Sequence, residues 1–341
     1  MIKTLHIKNF KSLRDVRLNL GTLNIFIGTN ASGKSNVFDA LRVLQGIGNG
    51  FTVGEIFDSK PKSATSEVWE GIRGGSSQAA FKGNTKEPVS FEIEIETKVT
   101  APTPCTITFN MPNMEMDAVG LAAPFLADSL ADMQRIDPIP SVLREYSKAH
   151  SVLRMGEHGE NFAALIHQIC ADPATKDAYL SWLKQLRPAE VDDVSTLEGA
   201  VGEKMFALKE GGRVFPAPVL SDGTLRFAAI AAAFFQPDMP ELLTIEEIEN
   251  GIHASRLRLL VELLRSRAEN QKTQVFVTTH SPTVLAWLQE PEYAHTFFCK
   301  RDEETGESKI IPITEIPRFA EIVKRQSIGD LFAEGWMEAA L

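Results

Sequence analysis

Gly28-Thr29-Asn30-Ala31-Ser32-Gly33-Lys34-Ser35 satisfies every fixed position of G-x-x-x-x-G-K-[ST], a spacing that wraps backbone around phosphate. Glycine lets successive N–H groups turn inward, so Gly28, Asn30, Ser32 and Gly33 are expected to cradle the phosphates of a nucleotide, with Asn36 on the turn that follows. Lys34 is expected to reach the β- and γ-phosphates and Ser35 to ligand Mg²⁺. Two carboxylates, Glu246 and Glu247, end the apolar run Leu242-Leu243-Thr244-Ile245. Beyond the carboxyl end of a buried strand such a pair can orient a metal ion and a water, although an apolar strand running into an acidic loop reads the same way. His280 closes a second apolar run, Gln274 to Thr279, and Ser221-Asp222-Gly223 opens a third segment rich in alanine. Taken alone, the latter two are a strand-end histidine and a good helix N-cap.

The elements that must position these groups are legible around them. Leu23 to Ile27 predicts a short buried strand before the loop, and Asn36 to Leu44 carries apolar residues at helical spacing after it. Ile2, Leu5 and Ile7, then Val16, Leu18 and Leu20, predict a strand pair. Val89 to Glu96 alternates strictly and predicts a strand with one acidic face, paired across a Pro-rich turn at 101–104 with Thr106 to Phe109. The Gly- and Ser-containing region 46–88 reads as loop with one short helix. Between 115 and 210 the pattern turns helical, interrupted by Pro138, Pro140, Pro173 and Pro188, with helices expected over 161–169 and 176–186. Phe227 to Phe235 predicts a buried helix, and 296–300 and 310–312 predict strands.

The totals allow more than one lobe: 341 residues, 43% hydrophobic and 23% charged. A formal net charge of −10 argues against a chain coated in basic surface, though a local basic stripe is compatible with it. Cys105, Cys170 and Cys299 lie far apart without C-x-x-C spacing, which suits neither a disulfide framework nor a zinc site. A reducing cytoplasm is therefore the expected compartment. No signal peptide is expected, and the most apolar run is shorter than the roughly 20 residues that span a bilayer.

Ile7-Lys8-Asn9-Phe10-Lys11-Ser12, placed just ahead of the phosphate loop, resembles the opening of RecF, Rad50 and SMC proteins, ATPases related to the ATP-binding cassette. The ending Ile328 to Trp336 is similar to that of small standalone ATPases of this kind. The resemblance implies an α/β P-loop NTPase: an ABC-ATPase-like head with a mixed sheet and a helical insertion. Its expected parts are an N-terminal lobe at 1–110, the insertion at 111–205 and a C-terminal lobe at 206–341, the two lobes forming one ATPase domain. It makes Leu220 to Gly223 similar to the signature sequence, Glu246 a Walker B metal ligand, Glu247 the residue that polarises the attacking water, and His280 the switch histidine. It also makes Lys11 or Arg14 a candidate for approaching the nucleotide, and Asn250 to His253 similar to a dimer-contacting loop. Glu246 departs from the commoner Asp, and Ile248 stands where a familiar variant has Pro. The heptads of a long coiled coil are missing from 111–205.

What the resemblance implies for function is ATP and Mg²⁺ as cofactors, and a homodimer or higher even oligomer in which Ser221 and Gly223 of one subunit meet ATP on another. Hydrolysis would release the pair. One reading is a switch that controls a separate effector, a nuclease or toxin, in defence; the alternative is a RecF- or Rad50-like ATPase acting on double-stranded DNA in recombination or repair. A transporter subunit at a membrane is disfavoured by the Asn-Phe-Lys-Ser opening and by the ending. About sixty residues follow His280 without a D-x-D pair, so no nuclease domain is expected within the chain.

Overall fold

Ile2, Leu5, Ile7 and Phe10 lie on one buried face of strand β1 (Ile2–Phe10), whose antiparallel partner β2 (Leu13–Asn19) buries Leu13, Val16 and Leu18. The strand β3 (Leu23–Ile27) is buried at all five residues and runs into the phosphate loop, after which helix α1 spans Lys34–Gly48. In this computed structural model residues 1–60, 69–96, 101–120, 124–148, 151–186, 190–271 and 273–341 are described. The chain groups into two compact units, one of Met1–Met133, Gln274–Pro282 and Leu288–Leu341, the other of Gln134–Thr273 and Thr283–Trp287.

The first unit holds two main sheets and a short strand pair, Ser59–Lys60 with Trp69–Glu70. In the antiparallel sheet the order is β2, β1, Val89–Ile95, Thr103–Asn110 and Glu115–Val119. Phe10, Phe91, Phe57 and Phe109 meet edge to face beneath it, with centroids 5.1 to 6.0 Å apart. Its wet face is acidic as expected, and Glu92 takes Lys8 and His6 from the neighbouring strand. In the other sheet β3 lies between two parallel strands, Gln274–Thr279 and Thr296–Arg301, and the latter pairs antiparallel with Ser308–Pro312. Fully buried parallel strands read as continuous apolar runs, which is why these segments stood out in the sequence.

Among its described residues the 46–88 region contains, after α1, one short α-helix, Val53–Phe57, started by a capping box between Thr52 and Glu55, and two 3-10 turns, Ser76–Gln78 and Phe81–Gly83. Residues 61–68 of that region, 97–100 of the turn before Thr103 and the break at Pro188 lie outside the described residues.

In the second unit the helices Phe162–Ala171 and Pro173–Leu186 bury Phe162, Leu165, Ile166, Tyr179 and Leu183. Pro140 and Pro173 begin helices rather than interrupt them, because the first helical residue has no use for an N–H. The expectation of helical segments throughout 115–210 needs correction. Glu115–Val119 is a strand of the first unit, and Val191–Glu198, Lys204–Glu210 and Arg213–Pro216 form an antiparallel sheet in the second. That sheet is held by long-range burial: Phe206 packs its ring 4.9 Å from Phe162, while a register shift between Val191 and Asp193 blurs the alternation that would have announced it. Among the described residues no helix is long and apolar enough to cross a membrane. Phe227 to Ala233 of the apolar run lie in the helix Asp222–Ala233 and are buried, while Phe235 lies past its end, half-buried.

Candidate functional site

In the first unit the phosphate loop rises from the carboxyl ends of parallel strands, where open α/β sheets gather ligands. Ile27 is in register with Thr279 on one side and Phe298 on the other. Gly28 and His280 therefore leave the sheet together, beside Cys299, which stays in its strand. A Cβ on Gly28, which has φ 150°, would come 2.3 Å from the Cys299 carbonyl oxygen, so only glycine lets the loop pass. Gly33 caps α1 in left-handed geometry (φ 106°), and a Cβ there would lie 2.2 Å from Ser308 Oγ. Lys34 Nζ donates to the carbonyls of Gly28 and Thr29 at 2.7 and 2.8 Å, which holds the ammonium inside the loop. Ser32 Oγ is buried with no hydrogen-bond partner among the described residues. A cation, an orphaned hydroxyl and the positive end of a 15-residue helix make a cradle that fits polyphosphate.

The Asn-Phe-Lys-Ser motif braces this cradle. Asn9 Nδ2 donates to the carbonyls of Asn84 and Glu87, and Phe10 joins the aromatic core. Lys11 is ion-paired with Asp39 on α1 and donates to the Arg73 carbonyl, while Arg73 also reaches Asp39 and the Ser35 carbonyl. Ser12 Oγ shares a hydrogen bond with Ser308 Oγ and accepts from Asn36 Nδ2, both at 2.6 Å. Arg14, exposed, pairs with Glu307. Asp39 and Arg73 were not picked out from sequence, since isolated charges in a helix and a loop carry no local signal of partnership.

The second unit carries the other named groups. Ser221 caps the helix Asp222–Ala233, its hydroxyl accepting from the Thr224 N–H. A Cβ on Gly223 would lie 2.5 Å from the Gly251 carbonyl, so the helix start and the loop after the glutamates touch backbone to backbone. An open depression of about 560 Å³ lies over this contact, lined among others by Ser221, Gly223, His253 and Arg256. His253 is exposed and caps the short 3-10 turn Ala254–Arg256, accepting from the Ser255 N–H.

Arg226, 6% exposed, donates to the Pro138 carbonyl at 2.9 Å, to Asp137 Oδ1 at 3.2 Å and to the Glu246 carbonyl at 3.4 Å. It ties the helix Asp222–Ala233 to the end of the strand Leu242–Ile245. The Glu246 carboxylate faces Arg135, whose Nη2 is 3.4 Å away and whose Nε is 3.3 Å from Glu157. Glu247 sits in left-handed geometry (φ 47°), and Asn250 Nδ2 donates to its Oε2 at 2.6 Å. A non-glycine residue held there stores backbone strain. Ile248 behind it is buried. Arg135 and Arg226 are the functional neighbours that sequence reading missed.

Burial pushes the Cys170 thiol up to about 11 and the Cys299 thiol up to about 12, the charge of Lys34 pulling the latter back down. Unfolded thiols ionise nearer 9.0, so above that pH the unfolded chain sheds protons that the folded chain keeps. The thiol contribution is whole below pH 9 and lost as pH rises towards 12. Urea midpoints are expected to fall between pH 8 and pH 10.5, less steeply in Cys299→Ala, and iodoacetamide to label Cys299 only on unfolding.

Known proteins resemble this chain along most of its length. Residues 127–286 match the family described as "AAA domain, putative AbiEii toxin, Type IV TA system", and residues 1–70 match the AAA ATPase domain family. An ATP/GTP phosphatase of Helicobacter pylori is 23% identical over 89% of this chain and 93% of its own length. An uncharacterized protein of Methanocaldococcus jannaschii is 43% identical over 16% of this chain and 25% of its own. Among solved structures, the SMC head domain of Thermotoga maritima is similar with a TM-score of 0.52 and 17% identity, covering 91% of this chain and 98% of that one. The Smc head with coiled coil and joint from Pyrococcus yayanosii has a TM-score of 0.58 and 11% identity, covering 95% and 99%. With its phosphate loop on parallel strands and matches to two ATPase-domain families, the chain is a mixed α/β P-loop ATPase with the fold of an SMC head.

Proposed function

We propose that the protein is a Mg²⁺-dependent ATPase switch: ATP draws two copies together, hydrolysis releases them, and the cycle controls a separate effector in a defence-type system. The observation that carries this reading is the open depression at Ser221 and Gly223, where a capped helix N-terminus beside Arg256 and His253 offers a phosphate-binding surface to a neighbouring copy. The toxin–antitoxin description of the matching family supports the effector, and the name of the Helicobacter relative supports hydrolysis of a nucleoside triphosphate.

The donors fit Mg²⁺, which keeps several waters and takes few protein ligands. Ser35 offers a hydroxyl and Glu246 a carboxylate, and among the described residues no cluster of three or more His, Cys, Asp or Glu competes as a metal site. When bound, the ion would neutralise charge on the β- and γ-phosphates. Arg135 faces the Glu246 carboxylate, which would have to exchange that partner in order to hold the ion. Glu247 orients the attacking water, and His280 bears on the γ-phosphate beside Gly28. Positioning and charge supply the catalysis.

Phosphate release with Mg·ATP, measured with and without linear double-stranded DNA and with Lys34→Ala as the blank, tests the proposal. A Lys34-dependent rate indifferent to DNA is expected. Strong DNA stimulation that vanishes at high salt would replace the effector switch with a DNA-acting ATPase of the recombination kind.

A further inference from the structure

We infer that a recess of about 360 Å³ beside the phosphate loop receives the nucleoside end of the bound nucleotide, and that it holds the base by its ring face rather than by its edge. The inference rests on the proposed reading of the loop as a nucleoside triphosphate site. The recess begins where the cradle ends. Asn36, on the first turn of α1, lines it, and so does Ser12, which accepts from Asn36 and shares a hydrogen bond with Ser308 against Gly33. A ligand whose phosphates lie on the loop can extend from Asn36 straight into it.

The chemistry of the walls is that of a base platform. Phe81, half-buried, offers its ring; Ser77 and Gln78 offer a hydroxyl and an amide; Lys82 and Arg301 stand exposed at the mouth. Lys82 Nζ lies 5.8 Å from the Phe81 centroid, and a Cβ on Gly306 would sit 3.4 Å from Lys82 Cε, so hairpin and loop converge there. The volume lies at the small end of the range for ligand pockets, which suits a nucleoside.

The platform is also built in advance. Lys11 N–H donates to the Ala79 carbonyl at 2.8 Å, Phe10 bridges to Ala80, and Asn9 holds the Asn84 and Glu87 carbonyls. Lys82 is held in left-handed geometry (φ 48°). Among the described residues that line the recess none is acidic, so they offer no carboxylate to accept from the N1 and N2 groups of guanine. Stacking serves every base alike. Discrimination between ATP and GTP should therefore be slight.

The test is calorimetric titration of the full chain with ATP, GTP and tripolyphosphate in Mg²⁺, comparing wild type with Phe81→Ala and Phe81→Trp. Wild type should bind ATP and GTP within about fivefold of each other, the spread expected when the ring face dominates. Phe81→Ala should weaken both by about tenfold or more, a typical stacking loss, while tripolyphosphate affinity stays as it was and Phe81→Trp restores the nucleosides. Phe81→Leu, which keeps apolar bulk without a ring face, takes the place of the alanine variant if that one loses its fold. ATP and tripolyphosphate weakening in parallel, or ATP unaffected, would overturn the inference. Failure of the underlying reading looks different: Lys34→Ala would then bind tripolyphosphate as well as wild type.

Discussion

Glu247→Gln is expected to bind ATP like the unaltered protein, to hydrolyse it slower by about a hundredfold or more, and to accumulate as a dimer. The amide keeps the size and the hydrogen bond with Asn250, whose Nδ2 now donates to Oε2 at 2.6 Å, but it cannot polarise water as a carboxylate does. The left-handed turn at Glu247 is set by backbone, including the Asn250 N–H donating to the Glu247 carbonyl at 2.9 Å, so the side chain should still be aimed correctly. Loss of hydrolysis with the nucleotide retained freezes the cycle after assembly. Light scattering at micromolar protein should show a Mg·ATP-dependent dimer that outlives that of the wild type. A variant that takes up ATP yet remains monomeric would remove the assembly step from the proposed cycle.

Lys34→Ala is expected to lose both binding and turnover, each by about a hundredfold or more, since removing one preorganised donor to developing phosphate charge costs on that order. In the folded chain Lys34 is 7% exposed, and its ammonium rests on the carbonyls of Gly28 and Thr29. It has been brought out of water before any phosphate arrives, so its attraction to the nucleotide is less screened than that of a surface lysine. Lys34→Arg should rescue little, because a planar fork does not fit where a compact charge sits between two loop carbonyls. Thermal unfolding checks that the fold survives. A midpoint within a few degrees of wild type, together with lost binding, locates the defect in the loop, whereas retained ATP binding in an intact fold would contradict the role given to Lys34.

Local chemistry was decided by the order of residues alone. The phosphate loop, the strand before it, the helix after it, the Ser221 cap and the strands ending at Glu246 and His280 all depend on a few adjacent residues, and each lies where spacing and apolar runs indicated. Glycine at 28 and 33 is informative for the same reason, because the clash a side chain would meet is built into the turn. Tertiary structure decided what depends on distant partners. The sheet over 191–216 forms because Phe206 finds Phe162, and the pattern of Val191 to Glu198 alone is too polar to reveal it. The duty of Asn9, Lys11 and Ser12 is to fasten segments 73–87, α1 and the strand at Ser308 around the loop, partnerships up to 296 residues apart. Arg135 and Arg226 lie 111 and 20 residues before Glu246, the difference of their numbers, and bear on its carboxylate and its carbonyl. Long charged side chains choose partners by where folding leaves them, and a single sequence records the charge without the partner.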